Sequence, residues 1–179
     1  MDYYTYLRNL EYLNQMQNNF TDIRVDNEPW PLTFQNKSSQ YILSKAIEQV
    51  KEYITDENED EMFYDNLISL APSDEQKKII ADIRDDERIH VKIFRKIFTQ
   101  LTGVVLPMAM PNMKKTEYEN MTYMDGLKKA LFGELDAIKK YRETIAYMPN
   151  KELYDMFMYV LTDEIRHADK YNYLITLNK

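Results

Sequence analysis

The chain has 179 residues, a net charge of −7, three glycines, six prolines and no cysteine. That length suits one domain with a sizeable core, and so few breakers favour long helices. Without cysteine there is no disulfide framework, thiolate nucleophile, iron–sulfur cluster or thiolate-bound zinc, and the acidic balance argues against nucleic acid, whose binding needs a basic surface.

The N-terminus, Met1 to Leu7, lacks the basic and apolar stretches of a signal peptide. No apolar run reaches the roughly 18 residues of a membrane span. A cytoplasmic address with no membrane partner is the expectation. Within residues 1–37, Tyr3, Leu7, Leu10, Tyr12, Leu13 and Met16 suggest a short helix, followed by an irregular arm through Glu28-Pro29-Trp30-Pro31. The arm suits packing or an oligomer contact, and a homodimer is one assembly it could support.

A four-helix bundle is expected over 38–179, with hairpin one at 38–103, a crossover at 104–119 and hairpin two at 120–179. Ser38 or Ser39 can cap a long helix that ends before Pro72, with Leu43, Ile47, Val50 and Ile54 inside. Ser73 caps the next helix, with Gln76 completing a capping box, and Gly103 terminates it. Its inward stripe is Ile80, Ile83, Glu87, His90, Phe94, Ile97 and Leu101, alternating steps of three and four as in a left-handed bundle. The crossover holds Pro107, Pro111 and three methionines, which suit packing over the bundle better than a Cu(I) site. A third helix at about 120–148 carries Met124, Leu127, Leu131, Glu134, Ile138, Tyr141, Ile145 and Met148 inward. After Pro149-Asn150 the fourth carries Leu153, Phe157, Val160, Glu164, His167, Tyr171 and Leu174.

The two halves repeat at an offset of 77 residues without a gap. Glu57 maps to Glu134, Tyr64 to Tyr141 and Pro72 to Pro149. Asp86-Glu87-Arg88-Ile89-His90 maps to Asp163-Glu164-Ile165-Arg166-His167, and these segments hold both histidines of the chain. Glu and His at i, i+3 share one helix face. On a core line their charge is costly unless matched. Two-fold packing of the hairpins would bring four carboxylates and two imidazoles to one point, the di-metal constellation of a carboxylate bundle.

The chemistry then assigns roles. Two close divalent ions need bridging anions, and Glu87 and Glu164 are the natural bridges. Glu57 and Glu134 would be terminal ligands, and His90 and His167 would add a nitrogen each. Mixed oxygen and nitrogen ligation suits iron or manganese. A ligating histidine needs its second ring nitrogen held, so Asp86 is expected on His167 and Asp163 on His90. Tyr64 and Tyr141, seven residues after Glu57 and Glu134, could hydrogen-bond carboxylates or relay single electrons.

Residues 40–176 resemble the rubrerythrin-like branch of the ferritin-like superfamily. The segments that carry the likeness are Tyr64-Asp65-Asn66-Leu67 through Ala71-Pro72, and Ile83 through His90. The resemblance implies an all-α ferritin-like bundle whose two-iron site is Glu57, Glu87, His90, Glu134, Glu164 and His167. Two manganese ions or a mixed pair are alternatives. It implies a reduced site that reacts with hydrogen peroxide or dioxygen. Full-length rubrerythrins add a four-cysteine rubredoxin domain that is not found here, which implies a separate electron-donor protein. They also carry a seventh carboxylate where this chain has Ala137. Asp60, at the equivalent place in the first helix, and Glu61, opposite Ile138, are candidates to replace it. Ferritin-type iron storage, a dimanganese catalase and a non-catalytic helical binding protein are the competing functions.

Overall fold

The computed structural model describes residues 39–59, 61–106 and 121–179, with side chains from 41–55, 63–106 and 121–179. The expected N-terminal arm, most of the crossover, and the side chains of Glu57, Asp60 and Glu61 lie outside the described residues. The helices are α1 (Ser39–Glu59), α2 (Glu61–Leu70), α3 (Asp74–Thr102), α4 (Tyr123–Ile145) and α5 (Lys151–Leu177). The described residues contain no strand, and none of their helices is long and apolar enough to cross a membrane.

Local chemistry sets the helix ends. Ser73, Thr122 and Asn150 hold extended backbone and accept from the amides of Gln76, Asp125 and Leu153, satisfying donors that have no partner within the helix. Gly103 closes α3 at φ 72, a left-handed conformation that glycine adopts without strain. The expected capping box forms only halfway. The Gln76 side-chain oxygen accepts instead from the Tyr123 hydroxyl at 2.8 Å and the Asn178 amide at 2.9 Å, which ties one end of α3 to α4 and α5. α4, expected to run to about residue 148, stops at Ile145, and residues 146 and 147 form a turn.

α1 and α2 pack on α3, α4 packs on α5, and the hairpins meet through α3 against α5 and α2 against α4. Asp86 lies beside His167 and His90 beside Asp163, so α3 and α5 run in opposite directions. The turn at 146–150 makes α4 antiparallel to α5. Hence α3 and α4 are parallel. This is the ferritin-like topology.

All seven inward positions expected on α3, and all seven on α5, are buried. On α4 the face is rotated. Ala130 and Thr144 are buried, whereas Leu131, Ile138 and Ile145 are only half-buried, so Ile138 is not the core residue its spacing suggested. Small side chains on this face are what the register requires. At Gly126 a Cβ would sit 2.6 Å from Leu67 Cδ1, so the missing side chain lets α2 approach α4.

The core has two apolar halves. One gathers Val50, Tyr53, Phe94, Ile97, Tyr141 and Phe157, and the other Leu67, Ile80, Ile83, Leu127, Tyr171 and Leu174. Tyr141 belongs to the first and Tyr64 to the second. Glu87, His90, Glu134, Asp163, Glu164 and His167 belong to neither half, though all are buried.

Candidate metal centre

The charged layer is where α3, α4 and α5 converge. One ligand atom each from Glu87, Glu134, Glu164 and His167 lies within 4.8 Å of the others, and all four residues are buried. His90 faces the same carboxylates. Its Nδ1 is 2.8 Å from Glu87 Oε2 and 3.1 Å from Glu164 Oε1. His167 Nδ1 is 2.9 Å from Glu87 Oε1 and 3.5 Å from Glu164 Oε2. Glu87 and Glu164 therefore each touch both imidazoles, and Glu134 Oε2 lies 3.9 Å from His167 Nδ1. The imidazole rings are 5.7 Å apart.

The outer nitrogens are held across the hairpins. His167 Nε2 lies 3.1 Å from Asp86 Oδ2, and His90 Nε2 lies 3.3 Å from Asp163 Oδ2. A ring anchored this way has one orientation and keeps Nδ1 aimed inward.

Without a metal these groups balance one another electrostatically. Burial pulls both imidazoles down, but the adjacent carboxylates of Glu164 and Glu87 outweigh it. The net result is His90 raised to about 11 and His167 to about 9. Two imidazolium ions then offset part of the carboxylate charge.

The donor set fits divalent cations. Glu164 Oε1 and His167 Nδ1 are buried and, although each has an oppositely charged neighbour close by, neither meets hydrogen-bond geometry with another atom of the described residues. Once the imidazole has given up its proton, these atoms offer lone pairs to a common space, and a buried polar atom without hydrogen-bond geometry calls for an ion or water. Carboxylate oxygen with imidazole nitrogen, and no thiolate, suits iron or manganese.

A cavity of 350 Å³ adjoins the layer, lined by Glu87, Glu134 and Glu164 and by Tyr53, Phe63, Tyr64 and Tyr141. Lys129, Gly133, Asp136 and Lys140 line it from the exposed side of α4. Beyond its chain neighbours and the local helix backbone, no atom of the described residues lies within 4 Å of where a Gly133 Cβ would stand. Gly133 faces open space, and close helix approach occurs at Gly126 instead. Ala137 also lines the cavity. The sequence did not single out Tyr53, Phe63, Lys129 or Lys140. Tyr53 lies three residues after Val50 on the buried face, which was a usable signal; its hydroxyl is 2.6 Å from Thr144 Oγ1.

An all-helical bundle with a buried Glu/His layer at its centre defines a protein of the ferritin-like carboxylate class. The Rubrerythrin family model matches residues 48–175, which is most of the chain. The protein belongs to the rubrerythrin family. Comparisons with curated proteins and with solved structures find no match.

Proposed function

We propose that the protein is a di-iron oxidoreductase that reduces hydrogen peroxide or dioxygen with electrons from a donor outside the bundle. The observation that carries this reading is the convergence of buried Glu87, Glu134, Glu164 and His167 beside a cavity. Glu87 and Glu164, each in reach of both imidazoles, would bridge the ions. His90 and His167 would complete one ion each, with Glu134 and Glu57 as terminal ligands. A bound iron pair would supply two electrons for cleavage of the O–O bond.

The chain's own residues do the rest. Asp86 and Asp163 fix the imidazoles so that the ligand atoms are in place before any metal arrives. The cavity gives a small oxidant a path to the carboxylates past Gly133. Tyr64 and Tyr141 line its wall and would give a hydrogen bond to the oxidant. The apolar halves above and below the layer exclude bulk water, which strengthens every charge interaction within it.

The test is elemental analysis of the purified protein, followed by reduction and exposure to peroxide. Near two irons per chain, with peroxide consumed only when reductant is present, is the expected result. Two manganese ions with dioxygen release would replace this reading with a catalase, and a hollow oligomer filled with iron would replace it with storage. No metal bound or taken up anaerobically would leave a helical binding protein.

A further inference from the structure

The repeat makes the two halves of the metal layer equivalent in ligands but not in the charges behind them. Arg166, on α5, makes an ion pair through Nη1 with Asp163 Oδ1, and its Nη2 lies 3.9 Å from Asp86 Oδ2. Among the described residues it is the one cation that reaches both aspartates. Lys170 Nζ, one turn further, lies 3.8 Å from Asp86 Oδ2. The offset of 77 residues maps Arg166 to Ile89 and Lys170 to Ile93. Hairpin one therefore sends no matching cations to the pair, and both come from hairpin two.

The consequence differs for the two aspartates. Asp163 is buried, and its ion-pair partners are Arg166 outside and His90 inside. Asp86 is a quarter exposed by its side chain and keeps Lys170 as a second cation. A guanidinium presents donors in a fixed fork, so one Arg166 can address two carboxylates at once. By occupying Asp163 Oδ1 it leaves Oδ2 turned toward His90 Nε2, 3.3 Å away.

The geometry points to Arg166 as a positioning residue that clamps the two aspartates and, through Asp163, sets the orientation of His90 more than that of His167. This inference rests on the reading of the Glu/His layer as a metal centre. It predicts that the two metal positions are unequal, with one of them dependent on a cation at the protein surface.

The experiment loads wild type, Arg166→Gln and Arg166→Lys with cobalt(II) and follows release of the metal to EDTA by the cobalt absorption bands. In Arg166→Gln one of the two ions should leave about tenfold faster, the lower end of the range for losing an outer partner of a ligating histidine, while the other keeps the wild-type rate. Arg166→Lys restores a charge beside Asp163 and should bring the fast phase back toward wild type. Arg84→Gln, which removes a surface cation paired with Asp65 and Asp85, should change neither phase. A merely structural role would loosen both ions together, without rescue by lysine. Wild-type release of both ions from Arg166→Gln, or equal acceleration of both, would overturn the inference while leaving the metal centre intact. A wild-type protein that takes up no cobalt would overturn the metal centre and the clamp together.

Discussion

Gly133→Leu separates stability from access at one position. Gly133 lies inside α4 with ordinary right-handed backbone, since Gly103 is the one glycine with positive φ among the described residues. Glycine in an exposed helix interior is about 0.8–1.0 kcal/mol less favourable than alanine, and leucine is close to alanine. Beyond its chain neighbours and the local helix backbone, no described atom stands within 4 Å of the new Cβ, so no clash offsets the gain. The variant should therefore be about 0.5–1 kcal/mol more stable, which for a bundle of this size raises Tm by about 1–4 °C. The same side chain projects into the mouth of the 350 Å³ cavity. Peroxide consumption by the iron-loaded, reduced protein should show a lower kcat/KM, with a smaller change in kcat at saturating peroxide. Azide binding to the oxidised protein should slow in parallel, which reads access without turnover. Gly133→Ala should keep the stability gain and leave both rates near wild type. Wild-type kcat/KM and azide kinetics in Gly133→Leu would refute entry past this residue. A loss of stability would refute the open space itself.

Glu87→Ala and Glu164→Ala should each lose both metal ions on elemental analysis, because each carboxylate touches both imidazoles; two ions retained by either variant would refute bridging. Phe157→Ala removes a fully buried ring packed 5.3 Å from Phe94 and 6.0 Å from Tyr141, and should cost about 3–5 kcal/mol in urea denaturation. For the metal-free protein, His90 and His167 have folded-state pKa values raised above the ordinary 6.5. Their stabilisation is thus complete below about pH 6.5 and is lost as pH rises through about 9 for His167 and about 11 for His90. Chelator-treated protein should show a lower urea midpoint at pH 9.5 than at pH 6, and an unchanged or higher midpoint would count against the imidazole–carboxylate network.

The helices α3 and α5 were legible in the sequence because their inward lines are made of large apolar residues stepping by three and four, interrupted only by Glu87, His90, Glu164 and His167. The gapless repeat then brought these charged residues together before any coordinates. On α4 the same reasoning drifted by one position. Its buried face includes Gly126, Ala130 and Thr144, which carry little hydrophobic signal, while the larger Leu131, Ile138 and Ile145 flank it. Gln76 has the spacing of a capping box, yet two long-range donors outcompete the local backbone amide, and sequence proximity says nothing of Tyr123 and Asn178. The cavity was illegible for a similar reason. Gly133 announces only a missing side chain, and whether neighbours fill that space depends on how the hairpins sit against each other.

The crossed aspartate–histidine pairs bear on the order of events during folding. The partners are separated by 73 and 81 residues, so neither hairpin alone can orient its imidazole. Each hairpin can form its helices and local turn on the microsecond scale of such events and still hold only a loose Glu-x-x-His pair. The ligand geometry arises when the hairpins dock, the step that closes the longest loop and carries the largest loop-closure entropy. Metal capture with native geometry is therefore a timing signal for docking, and a probe at the metal layer would report the last assembly step while helix signals report the first.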